Sequence, residues 1–313
     1  MKLITWGFWL AVFLAALLLL LLALDYPPIL RVIARNLKYE LSHPMGNAPH
    51  RLTLPLGHEN DIYCGWVGHS TWIIEFEGVR LITDPVFSDR VALMRRRVAS
   101  AINPENIDSL DGVLVTHAHV DHLDPKSLRQ LPAGTPLLLP EGDDPLVAGI
   151  PLSLAPMRGY GTHRLKDVTV TAFASPHIGR RHSLSTPRET LLYLLQKNGR
   201  SIAFFGDTAF APALAEAVRS ACPGGVDAAF IPIAGYAPEA FHREHATPEE
   251  ALQMALAMGA RTIIPMHYET FILSQEPVDE PLRRLLAAAE EAGVSDRIRQ
   301  TAVGGVLRLT GGQ

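Results

Sequence analysis

Cysteine is nearly absent: the 313 residues include two, Cys64 and Cys222. Neither lies in a Cys-x-x-Cys pair, so no thiolate metal site and no disulfide framework is written here, and the two read as buried free thiols, with one disulfide between them as the alternative. Charge is sparse as well. Charged residues make up 19% and the net charge is −4, which speaks against nucleic acid as a partner. The run Arg95-Arg96-Arg97 is the local exception; it reads as a solvated surface run, with a phosphate or anionic head-group contact as the alternative. Internal repeats are missing, and so is low complexity beyond the first 25 residues. Hydrophobic residues, at 48%, are sufficient for a sizeable core.

From Leu3 to Leu24 no residue is charged and almost all are apolar. About 20 such residues cross ~30 Å of hydrocarbon as a helix. A signal peptide has an apolar core of about 7–15 residues before a small-x-small cleavage site. This run is longer, and Leu22-Ala-Leu-Asp25 is a poor cleavage site, so residues 1–25 read as an uncleaved transmembrane anchor. Lys2 precedes the span, while Arg31, Arg35 and Lys38 follow it; the positive-inside rule then places the remainder on the cytoplasmic side. Pro27-Pro28 reads as a helix stop. Residues 26–60, rich in His, Pro and Gly and weakly periodic, read as a juxtamembrane connection.

From residue 61 to 313 the pattern is that of one domain. Short apolar strands are expected at 63–67, 71–76, 79–83, 112–116, 136–139, 168–174, 190–196, 201–205, 228–233, 262–266 and 306–309. Glu77-Gly78 supplies a turn. Helices are expected at 213–220, at 281–292, and from Thr247-Pro-Glu-Glu250, where Thr is the N-cap and Pro the first helical residue. Strands first, then strand–helix alternation, fit an α+β arrangement of two sheets sandwiched between helices.

The densest chemical signal is His117-x-His119-x-Asp121-His122, directly after the apolar run Gly112-Val-Leu-Val-Thr116. A strand that ends in a ligand-bearing loop fixes a site on a rigid scaffold. In extended backbone His117 and His119 would face one side. Asp121 and His122 are adjacent and can reach a second centre. Imidazole and carboxylate suit zinc, manganese or iron more than calcium or magnesium.

His-x-His-x-Asp-His after a strand resembles the metallo-β-lactamase superfamily. The resemblance implies an αβ/βα sandwich with two metal ions at one edge, zinc in the first instance and manganese or iron as alternatives. It also implies the other ligands: His177 in Ser175-Pro-His177, Asp207 in Phe204-Phe-Gly-Asp207, and His267 in Ile264-Pro-Met-His267. In that pattern His117, His119 and His177 hold one metal, Asp121, His122 and His267 hold the other, and Asp207 bridges them. Two such ions acidify a shared water and clamp the attacked and leaving oxygens, with a metal-held hydroxide as nucleophile that Asp121 orients.

Trp66-Val-Gly-His69-Ser-Thr71, Thr83-Asp84-Pro85-Val-Phe-Ser88, His245-Ala-Thr-Pro-Glu-Glu-Ala251 and His267-Tyr-Glu-Thr-Phe271 look like the branch of N-acyl-phosphatidylethanolamine-hydrolysing phospholipase D, over roughly residues 62 to 272. The likeness implies that His245 sits beside the metals and contacts substrate phosphate, that His69 supports the site or touches substrate, and that Asp84 orients a ligand imidazole. That branch usually places Trp after the two later ligand histidines. Ile178 and Tyr268 stand there instead, so the pocket wall differs.

The expected activity is therefore hydrolysis of a phospholipid phosphodiester by a membrane-anchored enzyme. The alternative is a lactonase or esterase on a small soluble, phosphorylated substrate, and a more distant one is a membrane protein that keeps metal for structure alone.

Overall fold

The computed structural model describes residues 9–10, 12–14, 28–58, 60–182 and 185–309. The anchor expected at Leu3–Leu24 lies largely outside the described residues. Among those described, no helix is long and apolar enough to cross a membrane.

The first sheet has seven strands: β1 (Ile62–Gly68), β2 (Thr71–Phe76), β3 (Val79–Thr83), β6 (Gly112–Leu114), β7 (Pro136–Pro140), β8 (Ser153–Met157) and β15 (Val306–Leu309). Their order is β15-β1-β2-β3-β6-β7-β8. The second sheet has six: β9 (Thr162–Leu165), β10 (Val168–Gly179), β11 (Arg188–Lys197), β12 (Arg200–Phe204), β13 (Ala228–Pro232) and β14 (Thr262–Met266), in the order β14-β13-β12-β11-β10-β9. A small hairpin, β4 (Arg90–Val91) with β5 (Met94–Arg95), stands apart. Both large sheets are mixed: β3, β6, β7 and β8 run parallel in one, and β12, β13 and β14 in the other, the remaining pairings being antiparallel.

Apolar runs decide this layering. In β2 and in Leu191–Leu195 of β11 every residue is buried, so these strands are covered on both faces. Trp72 of the first sheet meets Phe230 of the second edge to face, with ring centroids 5.0 Å apart. The Tyr193 hydroxyl of β11 donates to the Val115 carbonyl at 2.8 Å. The sheets are thus locked together just where the His117 loop begins. Helices α3 (Pro212–Ala221), α5 (Pro248–Ala257) and α6 (Glu280–Glu291) flank the second sheet. Helix α5 starts at Thr247 with a full capping box to Glu250, worth about 1 kcal/mol.

Three observations add to or correct the expectations. Pro28 opens a helix, α1 (Pro28–Ser42), because Pro is well suited to the first helical turn; the helix stop expected at Pro27-Pro28 concerns residues outside those described. The juxtamembrane connection therefore contains a 15-residue helix that packs on the domain. Second, β8, β9 and the hairpin were not anticipated: β8 carries Pro156 on an edge and exposes most of its residues. Third, the arginine run is not a solvated face. Arg96 is fully buried. It donates to the carbonyls of Val86 (3.0 Å), Val67 (3.3 Å) and Val98 (3.2 Å) and lies 5.4 Å from the Phe271 ring. Arg97 donates to the Glu269 carbonyl at 2.7 Å, and Arg95 to that of His43. Both cysteines are free, Cys64 buried and Cys222 half-buried.

Arg96→Met should lower stability by about 3–5 kcal/mol in urea unfolding, since three carbonyls lose a charged donor. Arg158→Ala, which removes an exposed pair with Glu141, should leave the urea midpoint almost unchanged, because solvent screens such a pair. Equal effects would show that Arg96 is not a structural tie.

Candidate metal centre

The site forms where strands of both sheets end. The turn after β1 brings His69, the end of β3 brings Asp84, and the loop after β6 brings His117, His119, Asp121 and His122. From the second sheet, β10 carries His177 past a bulge, and the chain after β12 and β14 delivers Asp207 and His267. Parallel strands with their carboxyl ends at one edge make such a convergence possible. The backbone is forced at this edge: His69 (φ 57°), Asp84 (φ 36°) and His267 (φ 65°) are left-handed without being glycine, a cost found at functional sites. Gly206 (φ +60°) must be glycine, because a Cβ would lie 2.6 Å from the Thr116 side chain.

Two ligand groups result. In one, His117, His119, His177 and Asp207 place their donor atoms within 4.8 Å of one another; in the other, His69, Asp121, His122 and His267 do the same. Asp207 lies between them. Its Oδ2 is 3.2 Å from both His122 Nε2 and His267 Nε2, 3.7 Å from His117 Nε2 and 3.9 Å from His177 Nε2. His245 approaches the same oxygen through Nδ1 at 3.9 Å and forms a third, overlapping group with Asp207 and His267.

The hydrogen bonds assign the protons. Thr116 Oγ1 donates to Asp84 Oδ2 (2.8 Å), so it accepts from His117 Nδ1 (3.0 Å). His177 Nδ1 donates to the Glu244 carbonyl (2.8 Å) and His122 Nδ1 to Asp84 Oδ2 (2.7 Å). All three rings then turn bare Nε2 lone pairs inward. His117 Nε2 and His177 Nε2 lie 2.9 and 3.1 Å from His119 Nδ1, near the roughly 3.3 Å expected of nitrogens about 2.0–2.1 Å from one tetrahedral ion. His122 Nε2, both ring nitrogens of His267, and Asp207 Oδ1 are buried without a hydrogen-bond partner. Lone pairs facing lone pairs repel unless a cation or proton lies between them. The donor set fits two metal ions.

Asp84 is wholly buried and takes three bonds: from Thr116 N (2.7 Å), Thr116 Oγ1 and His122. His69 is also buried; its Nε2 meets Asp121 Oδ2 at 2.9 Å, and its ring packs on His267 and Phe271. His245 is half-buried, its Nδ1 without a partner, and a Cβ on Gly235 would meet its ring at 2.8 Å. Sequence reasoning missed Thr116, Phe271, Arg181 and the Glu244 carbonyl. Arg181 donates to the carbonyls of Ala118 (3.1 Å) and Leu123 (2.6 Å) and so fastens the ligand loop. Only Thr116 was visible in advance, as the residue before the motif; a carbonyl leaves no mark on a side-chain pattern.

Electrostatics follow from burial and the two carboxylates. Burial holds His117 and His245 well below the ordinary histidine value, His69 down to about 3 and His119 to about 4. Burial opposes protonation of His122 and His267 too, but Asp207 outweighs it, with Asp84 and Asp121 beside His122. His122 is held well above its usual value and His267 is pushed up to about 9. Asp207 and Asp121 stay well below the carboxylate range: burial would raise them, and the neighbouring imidazoles prevail. Where no cation lies between them, the carboxylates therefore favour a proton on His122 and on His267.

Metal must displace those protons, so uptake at pH 7 should release about two protons per chain. Affinity should rise as pH rises toward 9 and fall on acidification; proton uptake, or none, in weakly buffered titration would contradict this. Asp84→Asn should weaken metal binding about 10–100-fold in chelator competition, because His122 loses the acceptor that fixes its tautomer. Unchanged affinity would mean that another group orients the ring.

A family model described as Beta-lactamase superfamily domain matches residues 79–268. An uncharacterised protein of Mycobacterium tuberculosis is 30% identical over 283 residues, covering 85% of this chain and 75% of that one. N-acyl-phosphatidylethanolamine-hydrolyzing phospholipase D 1 of Caenorhabditis elegans is 27% identical over 269 residues, 77% of this chain and 75% of the relative. Among solved structures, a novel metallo hydrolase from the archaeon Ignicoccus hospitalis superposes with a TM-score of 0.61 at 19% identity, covering 80% of this chain and 99% of that one. Fold, ligand constellation and sequence agree: the chain belongs to the metallo-β-lactamase superfamily, in the branch resembling N-acyl-phosphatidylethanolamine-hydrolysing phospholipase D.

Proposed function

We propose that this chain, a metal-dependent hydrolase, cleaves the phosphodiester of an N-acyl-phosphatidylethanolamine-like phospholipid. The observation that carries the reading is the pair of ligand groups sharing Asp207, with His245 left over beside it. Seven residues suffice for two ions: His117, His119 and His177 for one, Asp121, His122 and His267 for the other, and Asp207 for both. Imidazole and carboxylate donors favour zinc over hard cations. When bound, such ions lend Lewis acidity to a water molecule and to the phosphoryl oxygens.

The chain's own groups do the remainder. His69 Nε2–H holds Asp121 Oδ2 and thereby aims that carboxylate toward the attacking water. Asp84 and the Glu244 carbonyl keep His122 and His177 in the tautomer that presents Nε2. His245, half-buried and unpartnered at Nδ1, is placed to hydrogen-bond a phosphoryl oxygen. The water oxygen bonds to phosphorus, and the bond from phosphorus to the head-group oxygen breaks. The products are a phosphatidic acid and the N-acylated amino alcohol.

A lipid rather than a small lactone is favoured by exposed apolar side chains close to ligands in the sequence: Ile178 follows His177, and Phe210 lies three residues past Asp207. The uncharged segment Leu3–Leu24 supports a membrane anchor, with the catalytic domain on the cytoplasmic side.

Metal content and turnover, measured together on bis-p-nitrophenyl phosphate and on the lipid, test this. Asp207→Ala removes an anionic donor from both groups and should lose metal and activity together. His245→Ala should keep its metal and lose about 10²–10³ in rate, the usual cost of one transition-state contact. Metal loss in His245→Ala would make His245 a ligand. A wild-type chain that opens lactones and leaves phosphodiesters intact would favour the soluble-substrate alternative.

A further inference from the structure

Helix α1 has two faces, and the domain uses one of them. Val32 is buried, and Ile33 packs on a small cluster of Val86, Val91, Met94 and Phe271. Arg35 donates to the carbonyls of Ser274 (3.2 Å) and Glu276 (2.7 Å), and Asn36 to that of Ile272 (3.3 Å). The other face carries Leu30, Ala34, Leu37 and Leu41, spaced i, i+4, i+7 and i+11, which is a single stripe on an α-helix. All four are exposed, Leu37 to 57% and Leu41 to 82%. Leu93, in the turn of the hairpin beside the helix, is 63% exposed. Arg31 and Lys38, seven residues apart, are exposed along one edge of the stripe.

Isolated surface leucines are ordinary. A continuous stripe edged by bases is the pattern of a helix lying in the plane of a membrane surface. What precedes the helix indicates what covers it. Leu3–Leu24 carries no charge, and within that run Leu10, Phe13 and Leu14 are more than half exposed. Apolar side chains are thus exposed in both described stretches, the run and the stripe, and Arg31 and Lys38 lie beside the stripe.

We propose that α1 is an interfacial helix whose leucine stripe lies in an anionic lipid surface. The inference rests on the membrane reading above and adds a second, in-plane contact to it. Its functional content is distance. Val120, between His119 and Asp121, packs on the cluster under Ile33, and Phe271 of that cluster meets the His69 ring edge to face at 5.3 Å. One apolar layer therefore separates the lipid-facing helix from the metal centre, so docking α1 holds the site against the surface in which a phospholipid lies.

Depth-dependent quenching tests this on the full chain. Leu37→Cys and Leu41→Cys, with Leu286→Cys on α6 as a reference, are made in a Cys222→Ser background and labelled with bimane. Each is reconstituted in phosphatidylcholine–phosphatidylglycerol vesicles with brominated acyl chains. Labels at 37 and 41 should shift to the blue and lose roughly half or more of their emission, as expected for a face set at the headgroup–acyl boundary, with 286 unchanged. If the chain floats with the vesicles but 37 and 41 are quenched no more than 286, the stripe does not touch lipid and the inference falls while the anchor stands. A blue shift without bromine quenching would mean that a second copy of the chain covers the stripe, and would overturn the inference as well. A chain that does not float overturns both the inference and the anchor.

Discussion

The rest of the site depends on one buried carboxylate. Asp84 has no exposure, and burial pushes its carboxyl up, against the pull of His122 and Thr116. An ionised group in a dry core is costly unless each oxygen is satisfied. Here both oxygens are used: Thr116 N binds one, while Thr116 Oγ1 and His122 Nδ1 share the other. The Asp84 carbonyl accepts from Thr71 Oγ1 and its amide donates to the Leu114 carbonyl. A single residue thus joins β2, β3, β6 and the ligand loop. The same hydroxyl that binds Asp84 receives His117 Nδ1–H, so Asp84 sets the tautomer of one histidine directly and that of another through Thr116. The left-handed backbone of Asp84 (φ 36°) is tolerated because bonds from its side chain, its carbonyl and its amide all hold it there.

Much of this was legible in advance. Each ligand follows an apolar run, and such runs are strands whichever sheet they join. Their period and their bounding turns were sufficient to place β2, β3, β14 and β15 at their observed limits. The helix start at Thr247 was equally plain, since a capping box is a local, side-chain-encoded signal. What could not be read was tertiary. Pro27-Pro28 does not by itself announce the helix that begins at Pro28, which the packing of Val32, Ile33 and Asn36 against the domain holds in place. Arg95-Arg96-Arg97 looks solvated until the hairpin turns Arg96 inward onto three carbonyls. The edge strand Ser153–Met157, with Pro156 and four incompletely buried residues, has no alternation to betray it. His177 lies on the far side of a bulge, where register is set by the partner strand β11 and not by its own sequence.

The division of the ligands between the sheets carries a further consequence. His117, His119, Asp121 and His122 come from the first sheet, with His69 holding Asp121 in place; His177, Asp207 and His267 come from the second. Neither group is complete within one sheet, so an ion in either group spans the interface. A cation bound to the native arrangement but not to the unfolded chain adds its binding free energy to the stability of that interface. Without it, the carboxylates that hold the His122 and His267 imidazoles up favour protons there, a weaker and pH-dependent substitute. Trp72 against Phe230 and Tyr193 against Val115 supply the sheet-to-sheet contact that remains in either condition. The hydrophobic core can therefore hold the two sheets in register, while the metal centre rigidifies the one edge where packing alone leaves lone pairs facing one another. Ligand placement and fold stability are two aspects of the same interface, and the residues that appear purely catalytic in a linear motif are also its fastening.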